Sequence, residues 1–209
     1  YTLNALMMNL NIHGDQHKSM QQVYLYEALG DCGFKLHEYE QAASNYLAAV
    51  NVERNLTNAA YNSHIAYVSR KLADYGYINC NEPYKAIDLA REVLDWEVHA
   101  CSDKDVVRVI NYPCTIEVLD CLKMLVRAFN KASNFNASTE YINHALRIER
   151  KLFPKLSDKD TYHECQIDTM EVLGDVVVGN GDLKKGTTLY SHALQEKIKN
   201  ISKIPGGED

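Results

Sequence analysis

The sequence predicts an all-α fold, an α-solenoid of about four antiparallel helix pairs, and three observations predict it. First, the stretch Tyr24 to Val50 recurs in degenerate form from Ile167 to Leu194. Counted from Val23 and Ile167, Tyr26, Leu29, Gly30, Gly33, Ala42, Tyr46 and Ala49 match Met170, Leu173, Gly174, Val177, Gly186, Tyr190 and Ala193. Second, apolar residues recur three and four apart in helix-length stretches separated by short polar segments, among them His37-Glu38-Tyr39 and Asn180-Gly181-Asp182. Third, Ser-Asp-Lys-Asp occurs at 102–105 and again at 157–160. Each copy precedes a long helical pattern and reads as a cap whose acidic residues suit the positive end of a helix dipole.

Residues 1–13 carry Leu3, Leu6, Met7 and Leu10 at helical spacing and read as a helix from a preceding repeat, cut from a longer array. Repeat one covers 19–56. Ser19 and Gln22 form a capping box for a helix to about Leu36, and its partner spans about Glu40 to Arg54. Gly30 and Ala42 are the small residues that let two antiparallel backbones approach, and Tyr46 and Ala49 follow Ala42 on the same face. Repeat two covers 57–100, with Thr57 as the cap of a helix through about Asp74 and a longer turn from Tyr75 to Glu82. Pro83 then fits the first turn of a helix carrying Ala86, Ala90 and Val93. Repeat three covers 102–153: Pro113 breaks the segment after the cap, and Leu122, Leu125, Val126 and Phe129 align with Ser138, Ile142 and Ala145. Repeat four covers 157–200, and the tail 201–209, ending Pro-Gly-Gly-Glu-Asp, reads as disordered.

Composition narrows the function classes. With 46% apolar and 24% charged residues the chain reads as globular, and its net charge of −6 argues against direct nucleic-acid binding, which rests on Lys and Arg. No apolar run reaches the ~18 to 20 residues that span a bilayer, so no membrane insertion is expected. Cysteines 32, 80, 101, 114, 121 and 165 form no C-x-x-C pair, which fits thiols of a reducing compartment, cytoplasmic or nuclear. No metal, cofactor or catalytic residue is expected. His13 and His17 flank Gly14-Asp15 and read as a loop; consecutive His163-Glu164-Cys165 diverge around a helix. The glycines from Gly179 to Gly186 follow a helix and lack the Gly-Lys-Ser/Thr of a phosphate loop.

The seven-position pattern resembles the tetratricopeptide repeat (TPR) at its own spacing, which implies a right-handed superhelix of helix pairs. Positions 23 and 167 lie 144 residues apart, room for three units averaging about 48, against a norm of 34. The chain therefore resembles the long-repeat members, as in kinesin light chains, the LGN/Pins family and Tonsoku-like proteins. Leu25-Tyr26-Glu27-Ala28-Leu29-Gly30-Asp31, followed by Glu40 to Tyr46, is most similar to the Tonsoku-like kind.

That resemblance implies a concave groove lined by first-helix positions 2, 5, 9, 12 and 13. In repeat one these are Tyr24, Glu27, Asp31, Phe34 and Lys35. Repeat two, aligned from Tyr61, gives Asn62, Ile65, Ser69, Leu72 and Ala73. Repeat three gives Asp120, Lys123, Arg127, Asn130 and Lys131, and repeat four gives Asp168, Glu171, Asp175, Val178 and Gly179. Lys123, Arg127 and Lys131 form a basic stripe, and Asp168, Glu171 and Asp175 an acidic one; they bind a partner, face solvent, or pair with each other across adjacent helices. Tyr26, Tyr46 and Tyr190 fall on packing positions, while Tyr24, Tyr61, Tyr67 and Tyr84 are less constrained.

The expected function is a non-enzymatic scaffold that holds a protein or peptide partner in its groove, as part of a larger chain or complex. The Tonsoku-like resemblance implies a nuclear scaffold in the repair of stalled replication forks. The alternatives are an adaptor or polarity scaffold of the kinesin-light-chain/LGN kind, a regulatory array attached to a catalytic domain outside this sequence, and a structural spacer or self-assembling superhelix. The Lys/Arg–Asn clamp for C-terminal carboxylates is missing from repeats one and four.

Overall fold

The computed structural model describes residues 19–59, 61–101, 108–109, 112–152 and 159–201. The reading of 1–13 as a helix, the His13/His17 pair, the first Ser-Asp-Lys-Asp, the start of the second and the tail beyond Ile201 lie outside them. The described residues form eight α-helices: α1 (Met20–Lys35), α2 (Tyr39–Thr57), α3 (Ser63–Lys71), α4 (Pro83–Ala100), α5 (Ile116–Lys131), α6 (Phe135–Leu152), α7 (Lys159–Gly179) and α8 (Leu183–Ile201). The fold is all-α apart from a two-stranded antiparallel ladder, β1 (Arg108–Val109) and β2 (Tyr112–Pro113), with Val109 opposite Tyr112. The chain divides into two compact units, Tyr1–Ala100 with α1–α4 and Cys101–Asp209 with α5–α8.

Within each unit the helices come as antiparallel pairs, and all four pairs turn in the same way. His37, Asn81, Ser133 and Gly181 each hold a left-handed backbone, with φ between 58° and 91°. The next residue, Glu38, Glu82, Asn134 or Asp182, donates its N–H back to the carbonyl of Gly33, Tyr77, Phe129 or Val177. With the shorter bonds from the left-handed residues to Phe34, Ile78, Asn130 and Val178, this is the Schellman closure of a helix C-terminus. The residue that closes one helix then opens the next. Asn134 and Asp182 accept side-chain bonds from the N–H groups of Ala137 (3.2 Å) and Lys185 (3.0 Å), so one polar residue serves both ends.

Close approach inside the pairs rests on glycine facing a ring. A Cβ on Gly30 would stand 2.5 Å from Cε1 of Tyr46, and one on Gly174 would stand 2.6 Å from Cε1 of Tyr190. The ring of each tyrosine occupies the space a side chain would take, and its hydroxyl reaches the next residue along: Tyr46 donates to Asp31 at 2.7 Å and Tyr190 to Asp175 at 2.5 Å. One core gathers Val23, Ala42, Tyr46, Ala49, Val50, Ile65, Val68 and Leu72. Burying each valine, leucine or isoleucine side chain of this core contributes roughly 1.5–3 kcal/mol.

Three sequence expectations are corrected by the structure. Thr57 does not cap the third helix. It is the last residue of α2 with its hydroxyl on the Glu53 carbonyl (2.9 Å), while Asn62 caps α3 by accepting from the Ile65 N–H at 2.8 Å. The chain does not leave the helix at Asp74, because Leu72–Tyr77 continues as a wider π-helical turn. Gly76 allows it, since a Cβ there would meet that of Ala43 at 2.9 Å. The segment behind the first Ser-Asp-Lys-Asp runs into the β1–β2 ladder, and α5 starts only after it, capped by Thr115, which accepts from the Val118 N–H at 3.2 Å.

Candidate functional site

Tyr24, Glu27, Asp31 and Phe34 recur every three or four residues along α1 and so share one face. That face meets α3. His64 places Nε2 3.2 Å from Glu27 and Nδ1 2.5 Å from Glu53, which reaches over from α2. Lys71, about two turns further along the same face of α3, bonds Glu27 at 2.8 Å and both oxygens of Asp31 at 2.9 Å. Phe34 stacks on Tyr75, with centroids 4.2 Å apart and planes 16° from parallel. Burial pulls the Lys71 pKa down, but the carboxylates of Glu27 and Asp31 outweigh it and hold the ammonium above its ordinary value. Burial, and the Asp31 carboxylate that receives its proton, push the Tyr46 phenol upward.

Above this network lies an aromatic surface. Tyr24, 54% exposed, packs edge-on to His64 at 5.4 Å; Tyr67, 42% exposed, lies 6.2 Å from the same imidazole and 4.8 Å from the Lys71 ammonium. The site thus has two open tyrosines set on a paired polar base. Sequence reasoning named Tyr24, Glu27, Asp31 and Phe34 but missed His64 and Lys71. Its repeat-two set lines no surface: Ile65, Ser69, Leu72 and Ala73 are buried, and Asn62 is spent on the α3 cap. The alignment from Tyr61 began before the helix does. Counted from Ser63, the exposed face falls on His64, Tyr67 and Lys71.

In the second unit the two charged stripes meet each other. Asp168 of α7 stands between Lys123 (2.6 Å) and Arg127, both on α5, and Lys123 also reaches Asp120 at 3.2 Å. Lys123 is only 2% exposed. Burial lowers its pKa, and Asp120 and Asp168 more than restore it; burial raises that of Asp168, and Arg127 and Lys123 carry it below the ordinary carboxylate value. Lys131 is exposed at the end of α5. Glu171 accepts from Lys197 of α8 at 2.5 Å, and Asp175 accepts from Tyr190.

A further set went unread in the sequence. Counted from each turn, Glu53, Glu97, Glu149 and Lys197 stand at the same place in α2, α4, α6 and α8. Glu53 and Glu149 are buried, and Glu97 takes Arg70 at 2.6 Å. Burial pushes the Glu149 carboxyl up to about 7, against the opposing pull of the Thr169 hydroxyl and Lys123. The signal that finds them is the turn: align the four turn residues and the glutamates line up.

Among the described residues no group of three or more His, Cys, Asp or Glu can hold a metal ion. Nor is any described helix long and apolar enough to cross a membrane.

The repeated turns and glycine–tyrosine joints define a helical-repeat protein. No family model matches the sequence, and no curated protein matches it. Among solved structures the chain is similar to that of BtubC (BKLC) from P. vanneervenii, with a TM-score of 0.65 and 14% identity over 98% of this chain and 75% of that one. At that identity the likeness carries the helical-repeat fold alone.

Proposed function

We propose that this chain is a non-enzymatic protein–protein interaction scaffold of the long tetratricopeptide kind. Its partner segment lies on the first-helix face where Tyr24 and Tyr67 flank His64. The observation that carries this reading is the pair of open tyrosines on a fully paired base. A tyrosine offers large contact area with a polar tip, and one held by its neighbours loses little freedom on binding. Because Glu27, Asp31 and Lys71 are already paired with each other, their part is to hold the rings, and the partner supplies apolar side chains and a hydrogen bond to the tyrosine hydroxyls. Among long-repeat scaffolds, the likeness of Leu25–Asp31 to the Tonsoku-like kind favours a genome-maintenance role.

The basic stripe makes a poor test, since charge reversal at buried Lys123 would break the fold before it touched a partner. The tyrosines make a clean one. Partners recovered from lysate with the chain are compared with those recovered by Tyr24→Ala/Tyr67→Ala, with helicity checked by circular dichroism. Loss of a partner from a variant of unchanged helicity is the expected result, and recovery of the same set by both would refute this site.

A further inference from the structure

Of the four equivalent positions Glu53, Glu97, Glu149 and Lys197, three are matched by a polar partner. Glu53 accepts from Asn62 at 3.0 Å and meets His64 at 2.5 Å, Glu97 takes Arg70 at 2.6 Å, and Lys197 gives to Glu171 at 2.5 Å. Glu149 is matched on one side only. It is 8% exposed, and its Oε2 is buried with no hydrogen-bond partner. A carboxylate buried short of partners is far more costly than the neutral acid in the same place. The described groups that face it come from three helices. Lys123 of α5 attracts its charge, but that ammonium is already held by Asp120 and Asp168, and Asp168 of α7 repels it. Arg150, its neighbour on α6, is exposed. Cys165 of α7 is a thiol whose pKa burial raises, so it brings no charge near neutrality. Thr169 of α7 shares a hydrogen bond with Glu149, yet its single hydroxyl proton goes to the Cys165 carbonyl at 2.9 Å. A proton on Glu149 therefore completes that contact, whereas a charged Glu149 is served only if Thr169 turns its proton away from Cys165.

Helix α7 has two seams on opposite sides. Gly174 meets the Tyr190 ring and joins α7 to α8. On the other side Asp168, Thr169, Val172 and Val176 fall on one stripe, of which the last three are buried. Asp168 and Thr169 carry that stripe onto α5 and α6. The α7–α8 pair can therefore part from α5–α6 without breaking its own joint. We infer that the seam of α7 with α5 and α6 is a proton-gated hinge: it is closed while Glu149 is neutral, and loss of that proton loosens the α7–α8 pair from the helices before it. The sign follows from where the proton is held more tightly. Burial lifts the Glu149 carboxyl from 4.5 to about 7, so the closed seam keeps the proton and the opened, hydrated seam releases it. Opening is favoured as pH climbs, and between pH 6 and pH 8 its equilibrium constant is expected to rise about tenfold. Glu53, at the same place under α3, has His64 and Asn62 on its two oxygens and provides no such gate in the first unit.

Amide hydrogen exchange on the full chain tests the hinge, with rates corrected for the intrinsic effect of pH on exchange. The expected result is a loss of protection of about tenfold over 166–176 of α7 between pH 6 and pH 8, with α1 and α2 unchanged. Glu149→Gln, of the same shape and always neutral, is expected to hold the protection of α7 constant across that range. Glu53→Gln, at the equivalent place in the first unit, is expected to leave the pH response of α7 as it is in the wild type. Protection of α7 that does not change with pH in the wild type overturns the proposal. So does the same loss in Glu149→Gln, which assigns the titration to another group. A loss shared equally by α1 and α2 also overturns it, because the whole chain and not one seam would then be responding.

Discussion

Tyr46 and Tyr190 sit in the same joint, each fifteen residues beyond the aspartate that takes its hydroxyl, and they live in different surroundings. Tyr46 has no exposed surface and Tyr190 keeps more than a third of its own. Burial and the Asp175 carboxylate raise the Tyr190 phenol to about 12, and the same two causes drive Tyr46 further. The motif builds a joint between two helices; the third helix decides whether that joint becomes core. Around Tyr46 the third helix is α3, which also brings Lys71 to Asp31.

Small-to-large substitution at the two glycines separates these surroundings most strongly. Alanine at Gly30 would press on a ring enclosed on every side, and overpacking of that kind costs about 1–3 kcal/mol. At Gly174 the ring can swing toward solvent, and the roughly 1 kcal/mol that alanine contributes to a helix over glycine is then retained. Gly30→Ala is therefore expected to lower Tm by several degrees, and Gly174→Ala to leave it unchanged or raise it. Equal losses in both would show that the open joint is as rigid as the covered one.

The position shared by Glu53, Glu97, Glu149 and Lys197 sharpens the same contrast through pH. Glu149 lies under a neighbouring helix and is raised from its ordinary value to about 7, so the folded chain holds its proton more tightly than the unfolded chain does. That contribution is complete below the unfolded carboxyl value of 4.5 and is lost as pH climbs through about 7. Glu149→Gln, always neutral, is expected to remove this decline and to raise stability at pH 8 by on the order of 1–2 kcal/mol. Urea unfolding at pH 5.5 and pH 8 reads it, and a wild-type slope that survives the substitution would place the titration elsewhere. Lys197→Gln, on the uncovered helix, is expected to leave the slope as it was.

The joints were legible in the sequence because each needs a glycine and a tyrosine at fixed separation and two copies stand far apart in the chain, but Asp31 and Asp175 were read as groove residues and not as the acceptors of the tyrosine hydroxyls. The seams between neighbouring first helices were legible only as one alternative of three, the pairing of the two charged stripes. Spacing shows that Lys123 and Arg127 share a face, but the carboxylate they face lies on α7, and only packing brings Asp168 between them. Glu53 and Glu149 were missed for a related reason: an isolated charge in a helix reads as a solvated face until a second helix is laid over it. His64 and Lys71 were missed by a register error, because the alignment began at Tyr61, two residues before α3 does, whereas Tyr67 had been singled out only as a less constrained tyrosine.

The smallest expected effect tests the hydroxyls alone. Tyr46→Phe removes a buried donor, yet Asp31 keeps both bonds to Lys71, so the loss is that of one ordinary hydrogen bond, about 1 kcal/mol. Tyr190→Phe frees Asp175 on an exposed surface where water replaces the phenol, and the change should stay within a few tenths of a kcal/mol. Chemical denaturation of the two variants measures the difference. If Tyr190→Phe cost as much as Tyr46→Phe, water would not be reaching Asp175, and something already covers α8 in solution.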